Sequence, residues 1–352
     1  MRVVQIVPNL SRGDAVGNNC CAIDDILKRA GYDAEIYSLV PVQSPELKEF
    51  ARPLKTLKKL EKNDILLYHM ATAIQHNITR YGGRRVFQYH NITPPEFFQA
   101  YDTPTAAACR AGINEMQSLR NAPEACWADS EFNKNDLIEA GYRCPIRTIP
   151  ILIPFEDYEK PADRRIIETY RDDFVNFLFV GRVAPNKAHE DVIRAFAWYQ
   201  KNINSRSRLF LVGNTSLTSY CGRLREYIRV LDIQNVIIPG HIRFSEILAY
   251  YRAADVFLSM SRHEGFCVPL LEAMFFGIPI VARNTTAIPY TLGNAGLLLE
   301  DNNPAIAALA VDRVIQDRTF RETLIKRQNA RLADFSHEKV KRMILEELKS
   351  FE

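Results

Sequence analysis

The sequence predicts an α/β protein made of two doubly wound parallel sheets. Three observations carry this. Short β-branched or aromatic runs alternate with longer helical patterns along the whole chain. These runs fall into two sets, and a stretch rich in proline and charge separates them. With ~100–200 residues to a domain, 352 residues suffice for two domains, each with an ample core.

In chain order, the first set of expected strands is RVVQIVP, DAEIYSL, DILLYH, RVFQYHN, ACWADS and IRTIPI. The second is FVNFLFVG, SRLFLVG, NVIIPG, DVFLSM, IPIVA and GLLLE. Between them PILIPFEDYEKPADRR has no clear period and is the expected linker. The last segment, FSHEKVKRMILEELKSFE, is an expected helix with Val340, Met343, Ile344 and Leu348 at packing spacing and Ser336 as its cap. No short repeat and no low-complexity tract is present, which argues against a solenoid.

Composition narrows the class. Hydrophobic residues make up 47% and charged residues 25%, ordinary for a globular protein, and a net charge of +3 is too small for charge alone to argue nucleic-acid binding. The seven cysteines are scattered, with Cys20 and Cys21 adjacent and no zinc-ligand spacing, so a reducing compartment and no structural zinc are expected. The chain enters a strand at once, without a signal-peptide pattern, and no apolar run is long enough to span a bilayer. The expected place is the cytoplasm. Residues 47–62 set six cations around Leu54, Leu57 and Leu60, broken at Pro53. Read as a helix, this segment is a candidate contact to the inner face of the cell membrane; the alternative is a solvated helix with its leucines in the core.

The chemistry concentrates in SMSRHEGFCVPLLEAMFFGIPIVA, residues 259–282. Pro269 at the start and Gly277 past the end bracket a short helix whose only polar residue is Glu272. A helix that apolar is buried, and a buried carboxylate needs partners. Glu264 stands at the end of the preceding strand, and the amides of Gly265, Phe266 and Cys267 can face an anion at the helix N-terminus. Two carboxylates and several amide donors suit a ligand rich in hydroxyls that also carries phosphate. In the second set's first loop, GRVAPNK places Arg182 and Lys187 at a strand C-terminus, without the second glycine or the hydroxyl residue of a Walker loop.

Glutamate, seven residues and glutamate, with Gly-Phe after the first and Ala-x-x-x-Gly-x-Pro after the second, resembles the donor-site signature of the family 4 retaining glycosyltransferases, which have the GT-B fold. The resemblance implies two Rossmann-like domains facing a central cleft. Residues 1–155 with the final helix 336–352 form an acceptor-side domain, and 156–335 form the donor-binding domain. It gives Glu264 to the transferred sugar, Glu272 to the ribose hydroxyls, and Gly265, Phe266 and Cys267 to sugar and phosphate. Cys267 stands where glycine is more usual, so a narrower pocket is expected. Arg182 and Lys187 match the element whose cations bind the donor diphosphate, and Ile242, with Gly240 and His241, falls beside the base.

In the first half, LSRGDAVGNN resembles the family's glycine-containing first loop, which brings Gly13 and Gly17 near the ligand; Asp14 there is equally explained by a local turn. His69 and His90 both end strands. YHNITPPEFF resembles the position of a family histidine near the reacting sugar, which singles out His90 over a purely structural reading. The implied catalytic residues are therefore Glu264, His90 and Lys187. The implied reaction moves a hexose from a nucleotide diphosphate sugar to a glycan or lipid-linked acceptor, with no cofactor and, in the absence of any D-x-D, no metal. The N-terminal motifs look like those of polysaccharide and lipopolysaccharide mannosyltransferases. GDP-mannose is the expected donor on that basis, with a UDP-sugar as the other choice. A GT-B epimerase, a phosphorylase or a non-catalytic nucleotide-sugar binder would use a similar architecture.

Overall fold

The computed structural model describes residues 1–11, 14–42, 47–74 and 76–351. Gly13, with its expected place beside the ligand, lies outside them. The chain divides into two compact units, one of Met1–Gln99, Thr103–Ile153 and Phe335–Glu352, the other of Ala100–Asp102 and Pro154–Asp334.

The first unit is built from β1 (Arg2–Val7), α1 (Ala15–Arg29), β2 (Asp33–Ser38), β3 (Ala51–Pro53), β4 (Leu60–Met70), β5 (Gly82–Tyr89), α2 (Thr103–Ser118), β6 (Ala125–Ala128), α3 (Glu131–Glu139) and β7 (Ile146–Thr148). All seven strands are parallel, in the order β3-β2-β1-β4-β5-β6-β7. Asp14 caps α1 by accepting the Gly17 amide at 3.2 Å, which accounts for it as a local turn. A Cβ at Gly17 would lie 2.4 Å from the Ser11 carbonyl, so this glycine serves a backbone-to-backbone approach within the loop itself.

The helix expected over 47–62 does not form. Ala51–Pro53 pairs with β2 as an edge strand, a 3-10 turn follows at Leu54–Thr56, and the chain then enters β4. Pro53 lacks an amide hydrogen, which an edge strand tolerates and a helix interior does not. Leu54, Leu57 and Leu60 are 2%, 7% and 5% exposed. The apolar stripe that a bilayer would need is therefore spent on the core, and Lys55, Lys58, Lys59 and Lys62 are solvated.

The second unit comprises α4 (Phe155–Tyr158), α5 (Arg164–Thr169), β8 (Val175–Val180), α6 (His189–Asn202), β9 (Ser207–Val212), α7 (Thr218–Val230), β10 (Val236–Gly240), α8 (Phe244–Ala253), β11 (Val256–Ser259), α9 (Val268–Phe275), β12 (Ile280–Arg283), α10 (Ile288–Leu292), β13 (Leu297–Leu299), α11 (Pro304–Gln316) and α12 (Arg318–Leu332). Its six strands are parallel in the order β10-β9-β8-β11-β12-β13. The stretch expected as a linker carries the short helix α4 and ends at the start of α5. Pro269 lies in the first turn of α9, and Gly277, at φ +65°, takes the chain out of it. No helix among the described residues is long and apolar enough to cross a membrane.

The last helix, α13 (His337–Lys349), belongs to the first unit. Val340, Ile344 and Leu348 enter the same core as Ile23, Ile26 and Leu27 of α1, over Val3, Ile65, Leu67, Val86 and Trp127 of the sheet, with Met343 against its rim. Ser336 holds the cap position without a side-chain capping bond.

Where β8 and β9 end, two loops touch backbone to backbone. A Cβ at Gly213 would fall 2.0 Å from the Gly181 carbonyl oxygen. Gly213→Ala should therefore destabilise the protein by about 2 kcal/mol or more. Gly222→Ala, in α7 with nothing within 4 Å, should stabilise it by roughly 0.5–1 kcal/mol. Urea unfolding of the two variants checks this, and equal effects would refute the steric reading.

Candidate functional site

In a doubly wound sheet the loops leaving two neighbouring strands diverge where the strand order reverses, and ligands bind at that switch point. The reversals fall between β1 and β4 in the first unit and between β8 and β11 in the second. Of the expected site residues of the second unit, Arg182 and Lys187 lie on the loop that follows β8, Glu264, Gly265, Phe266 and Cys267 on the loop that follows β11, Glu272 in α9, and Ile242 after β10.

Those loops are tied together. The amides of Arg262 and His263 donate to the Asn186 carbonyl at 2.8 and 3.2 Å, and Asn186 Nδ2 donates back to the His263 carbonyl at 3.2 Å. This clasp holds Lys187, at the end of the 3-10 turn Pro185–Lys187, against the residue after His263. Lys187 Nζ lies 2.6 Å from Glu264 Oε2, with the glutamate side chain 7% exposed and the lysine 21%. From the far side the Glu264 amide donates to Thr286 Oγ1 at 2.9 Å. Arg182 is exposed on the same loop as Lys187.

Glu272 has the partners its burial demands. Tyr158 donates to its Oε1 at 3.0 Å, and Tyr251 donates to its Oε2. Burial raises the Glu272 carboxyl above its ordinary value, and the two hydroxyls work against that rise. A carboxylate has about four acceptor positions, so two hydroxyls leave it capacity for a further donor. Burial pushes the Cys267 thiol well above its ordinary value, and the charge of Glu264 adds to the rise.

Cys267 differs from the expectation in a second way. Its φ is +70°, the left-handed region, at the N-cap of α9. A left-handed backbone favours glycine, and here cysteine takes it. Ala188 and Thr286, at φ +48° and +47°, share this conformation on the neighbouring loops. Phe266 is buried and Gly265 half-buried, while Ile242 is half-buried in the turn between β10 and α8, after Gly240 at φ +80°.

In the first unit, strand alternation builds a polar layer on the end of an apolar sheet face. Val3, Ile65, Leu67, Val86, Ala125 and Trp127 face α1 and α13. Two residues further along each strand the same face presents Gln5, His69, Gln88 and Asp129, with His90 beside them. His90 Nδ1 lies 2.8 Å from Asp129 Oδ2 and His90 Nε2 lies 2.9 Å from His69 Nδ1, so both its ring nitrogens are engaged and its side chain is 1% exposed. His69 Nε2 in turn lies 2.9 Å from Gln5 Oε1.

The structure therefore joins Lys187 to Glu264, sets Glu272 against two tyrosines, and gives His90 a buried chain of its own. Tyr158, Tyr251, Asn186, Thr286 and Asp129 were not predicted from sequence. Asp129 had a readable signal, an acid two residues after a buried tryptophan on one strand face. Tyr158 and Tyr251 had none, because their link to Glu272 spans 114 and 21 residues.

Residues 160–331 match the family model described as glycosyl transferases group 1. Among curated proteins the chain is 30% identical over 167 residues to the O-antigen chain mannosyltransferase B of Escherichia coli, covering 46% of this chain and 42% of that one. It is also 30% identical over 222 residues to the D-inositol 3-phosphate glycosyltransferase of Geodermatophilus obscurus, covering 58% and 48%. The matches thus span less than half the length of these two relatives. Over the whole chain the fold is similar to that of Anabaena HepE in complex with UDP and glucose, with a TM-score of 0.76, 18% identity and coverage of 99% and 100%. The sucrose-phosphate synthase of Thermosynechococcus elongatus is similar too, at TM-score 0.76, 16% identity and 99% of each chain. The architecture is GT-B.

Two predictions follow from the site's electrostatics. Burial lowers the imidazoles of His263 and His189 to about 4 and about 3; Lys187 adds to the fall at both, while Glu264 works against it at His263. Both groups are then neutral when folded, and the unfolded chain binds the extra protons. Their contribution to stability is complete above pH ~6.5 and is lost as the pH falls toward those lowered values, at about 2 kcal/mol for each histidine by pH ~5. Thermal melts across this range should show the decline, and a shallower one in His189→Leu; an unchanged slope in that variant would contradict the assignment. Second, Tyr251→Phe keeps the ring stacked on Phe276 but removes one of the hydroxyls on Glu272. It should cost about 1–3 kcal/mol in urea unfolding, and a neutral result would show that Glu272 does not depend on that bond.

Proposed function

We propose, taking the group 1 glycosyl transferase domain as premise, that the protein transfers a hexose from a nucleotide diphosphate sugar to a glycan or lipid-linked acceptor and retains the anomeric configuration. The observation that carries this is the Lys187–Glu264 pair, 2.6 Å apart on the two loops at the switch point of the second sheet. A cation and an acid held together are matched to a ligand with a diphosphate at one end and sugar hydroxyls at the other. When such a ligand enters, the ammonium exchanges the carboxylate for phosphate, and the carboxylate exchanges the ammonium for hydroxyls.

The roles follow from the chemistry. Lys187 and Arg182, with the amides of Gly265, Phe266 and Cys267, neutralise the charge that gathers on the departing diphosphate, without a metal or other cofactor. Glu264 orients the sugar, and Glu272, fixed by Tyr158 and Tyr251, takes the ribose hydroxyls. Ile242 borders the base, and Gly13 and His90 are the contacts assigned to the first unit. The donor phosphate helps to deprotonate the acceptor, so neither glutamate forms a covalent intermediate. GDP-mannose is the favoured donor, supported by the partial match to a mannosyltransferase; a UDP-sugar is the second choice, since a protein of the same fold holds UDP. The setting is the cytoplasm and the context polysaccharide biosynthesis.

Release of nucleoside diphosphate from GDP-mannose and from UDP-glucose, with and without a glycan acceptor, tests the reading. Lys187→Ala leaves Glu264 without its cation and should cost about 3–5 kcal/mol in stability; in the folded variant turnover should fall roughly 10²–10³-fold, as expected for removing one stabiliser of developing charge. Near wild-type turnover in the folded variant would remove the diphosphate assignment.

A further inference from the structure

The buried polar layer of the first unit is a hydrogen-bond chain with both ends fixed by the backbone. At one end the Leu152 amide donates to Asn19 Oδ1 at 2.9 Å. A backbone N–H can only donate, so the Asn19 amide nitrogen must face Gln88 Oε1, at 3.3 Å. Gln88 Nε2 then donates to Asp129 Oδ1 at 3.2 Å, and that oxygen is an acceptor. At the other end the Cys20 carbonyl can only accept, and it takes the Gln5 amide nitrogen at 3.2 Å. Gln5 Oε1 therefore faces His69 Nε2, which must carry a hydrogen. Flipping either amide would set donor against donor or acceptor against acceptor at an anchor.

Three hydrogen bonds lie between these fixed ends: Asp129 Oδ2 to His90 Nδ1, His90 Nε2 to His69 Nδ1, and His69 Nε2 to Gln5 Oε1. Each needs one hydrogen, and two neutral imidazoles bring only two. We propose that this chain holds a third proton, that it resides on His90 as a doubly protonated ring against the Asp129 carboxylate, and that Asp129 and His69 are the positioning residues for His90.

The allocation to His90 rests on where the carboxylate lies. His90 is the ring beside the carboxylate, whereas His69 is wholly buried, its far nitrogen meets only a neutral amide, and burial and its neighbour push its imidazole well below the ordinary value. Among the described residues the groups bonded in the chain are Gln5 from β1, Asn19 and the Cys20 carbonyl from α1, His69 from β4, Gln88 from β5, Asp129 after β6 and the Leu152 amide. Asn91, the residue after His90, donates to Asp136 on α3 at 3.1 Å.

The proton count stands independently of the sugar-transfer reading; its consequence for turnover rests on that reading.

Long-range ¹H–¹⁵N correlation spectra of the ¹⁵N-labelled full chain near neutral pH test the proposal, with the rings assigned by His69→Gln and His90→Gln. The expected result is one exchange-protected imidazole with hydrogen on both nitrogens, lost in His90→Gln, beside a neutral His69 protonated at Nε2. In Asp129→Asn the doubly protonated pattern should disappear. Two neutral rings in the unmodified protein, or a proton resident on His69, would overturn the assignment without any variant, as would an unchanged pattern in folded Asp129→Asn. If the spectra are as expected but no nucleotide sugar is turned over, the transfer reading falls and the proton assignment remains.

Discussion

The contact on which the second unit's site depends is the Lys187–Glu264 ion pair. Glutamate 264 is 7% exposed, and a carboxylate so far from water is tolerated only with a cation and hydrogen bonds around it. The pair exists because β8 and β11 are hydrogen-bonded neighbours whose following loops leave on the two sides of a strand-order reversal. The Asn186 clasp then sets the two loops in register. Separating the partners without replacing them would leave a buried charge uncompensated, at a cost of about 3–5 kcal/mol. A ligand that offers phosphate to one partner and hydroxyls to the other can open the pair without that penalty.

Around this pair the backbone is strained in a consistent way. Ala188, Cys267 and Thr286 all take positive φ without being glycine, on the three loops that meet at Glu264. Each such residue costs on the order of 1–2 kcal/mol. Strain of this kind persists only where surrounding bonds over-determine it. Here they do: Ala188 is closed by the Pro185 carbonyl, Thr286 receives the Glu264 amide, and Thr291 donates to the Phe266 carbonyl. The loops are held in one arrangement before any ligand arrives, which lowers the ordering cost of binding.

The first unit solves a different problem. A parallel sheet covered by α1 and α13 must be apolar where the helices lie and polar where its strands run out toward the loops. The change occurs within one strand face, from Ile65 and Leu67 to His69 and from Val86 to Gln88. Because these polar groups are 0% exposed, each must find its partner in the next strand rather than in water, and the result is a single connected chain from Cys20 to Leu152.

The sequence by itself determined the periodicities: twelve of the strands, the helix bracketed by Pro269 and Gly277, and the acids and cations at strand ends. Those features are local, since each depends on residues within a few positions. It misled at 47–62, where leucines at helical spacing fall instead in a 3-10 turn, just after it and at the start of β4, because burial by distant residues overrides a short local pattern. Only the tertiary structure decided that Lys187 meets Glu264, that Tyr158 and Tyr251 share Glu272, and that His90 is locked between His69 and Asp129. Each of these joins residues brought close by strand order, and strand order is set by how the sheet buries its two faces rather than by any stretch of the chain.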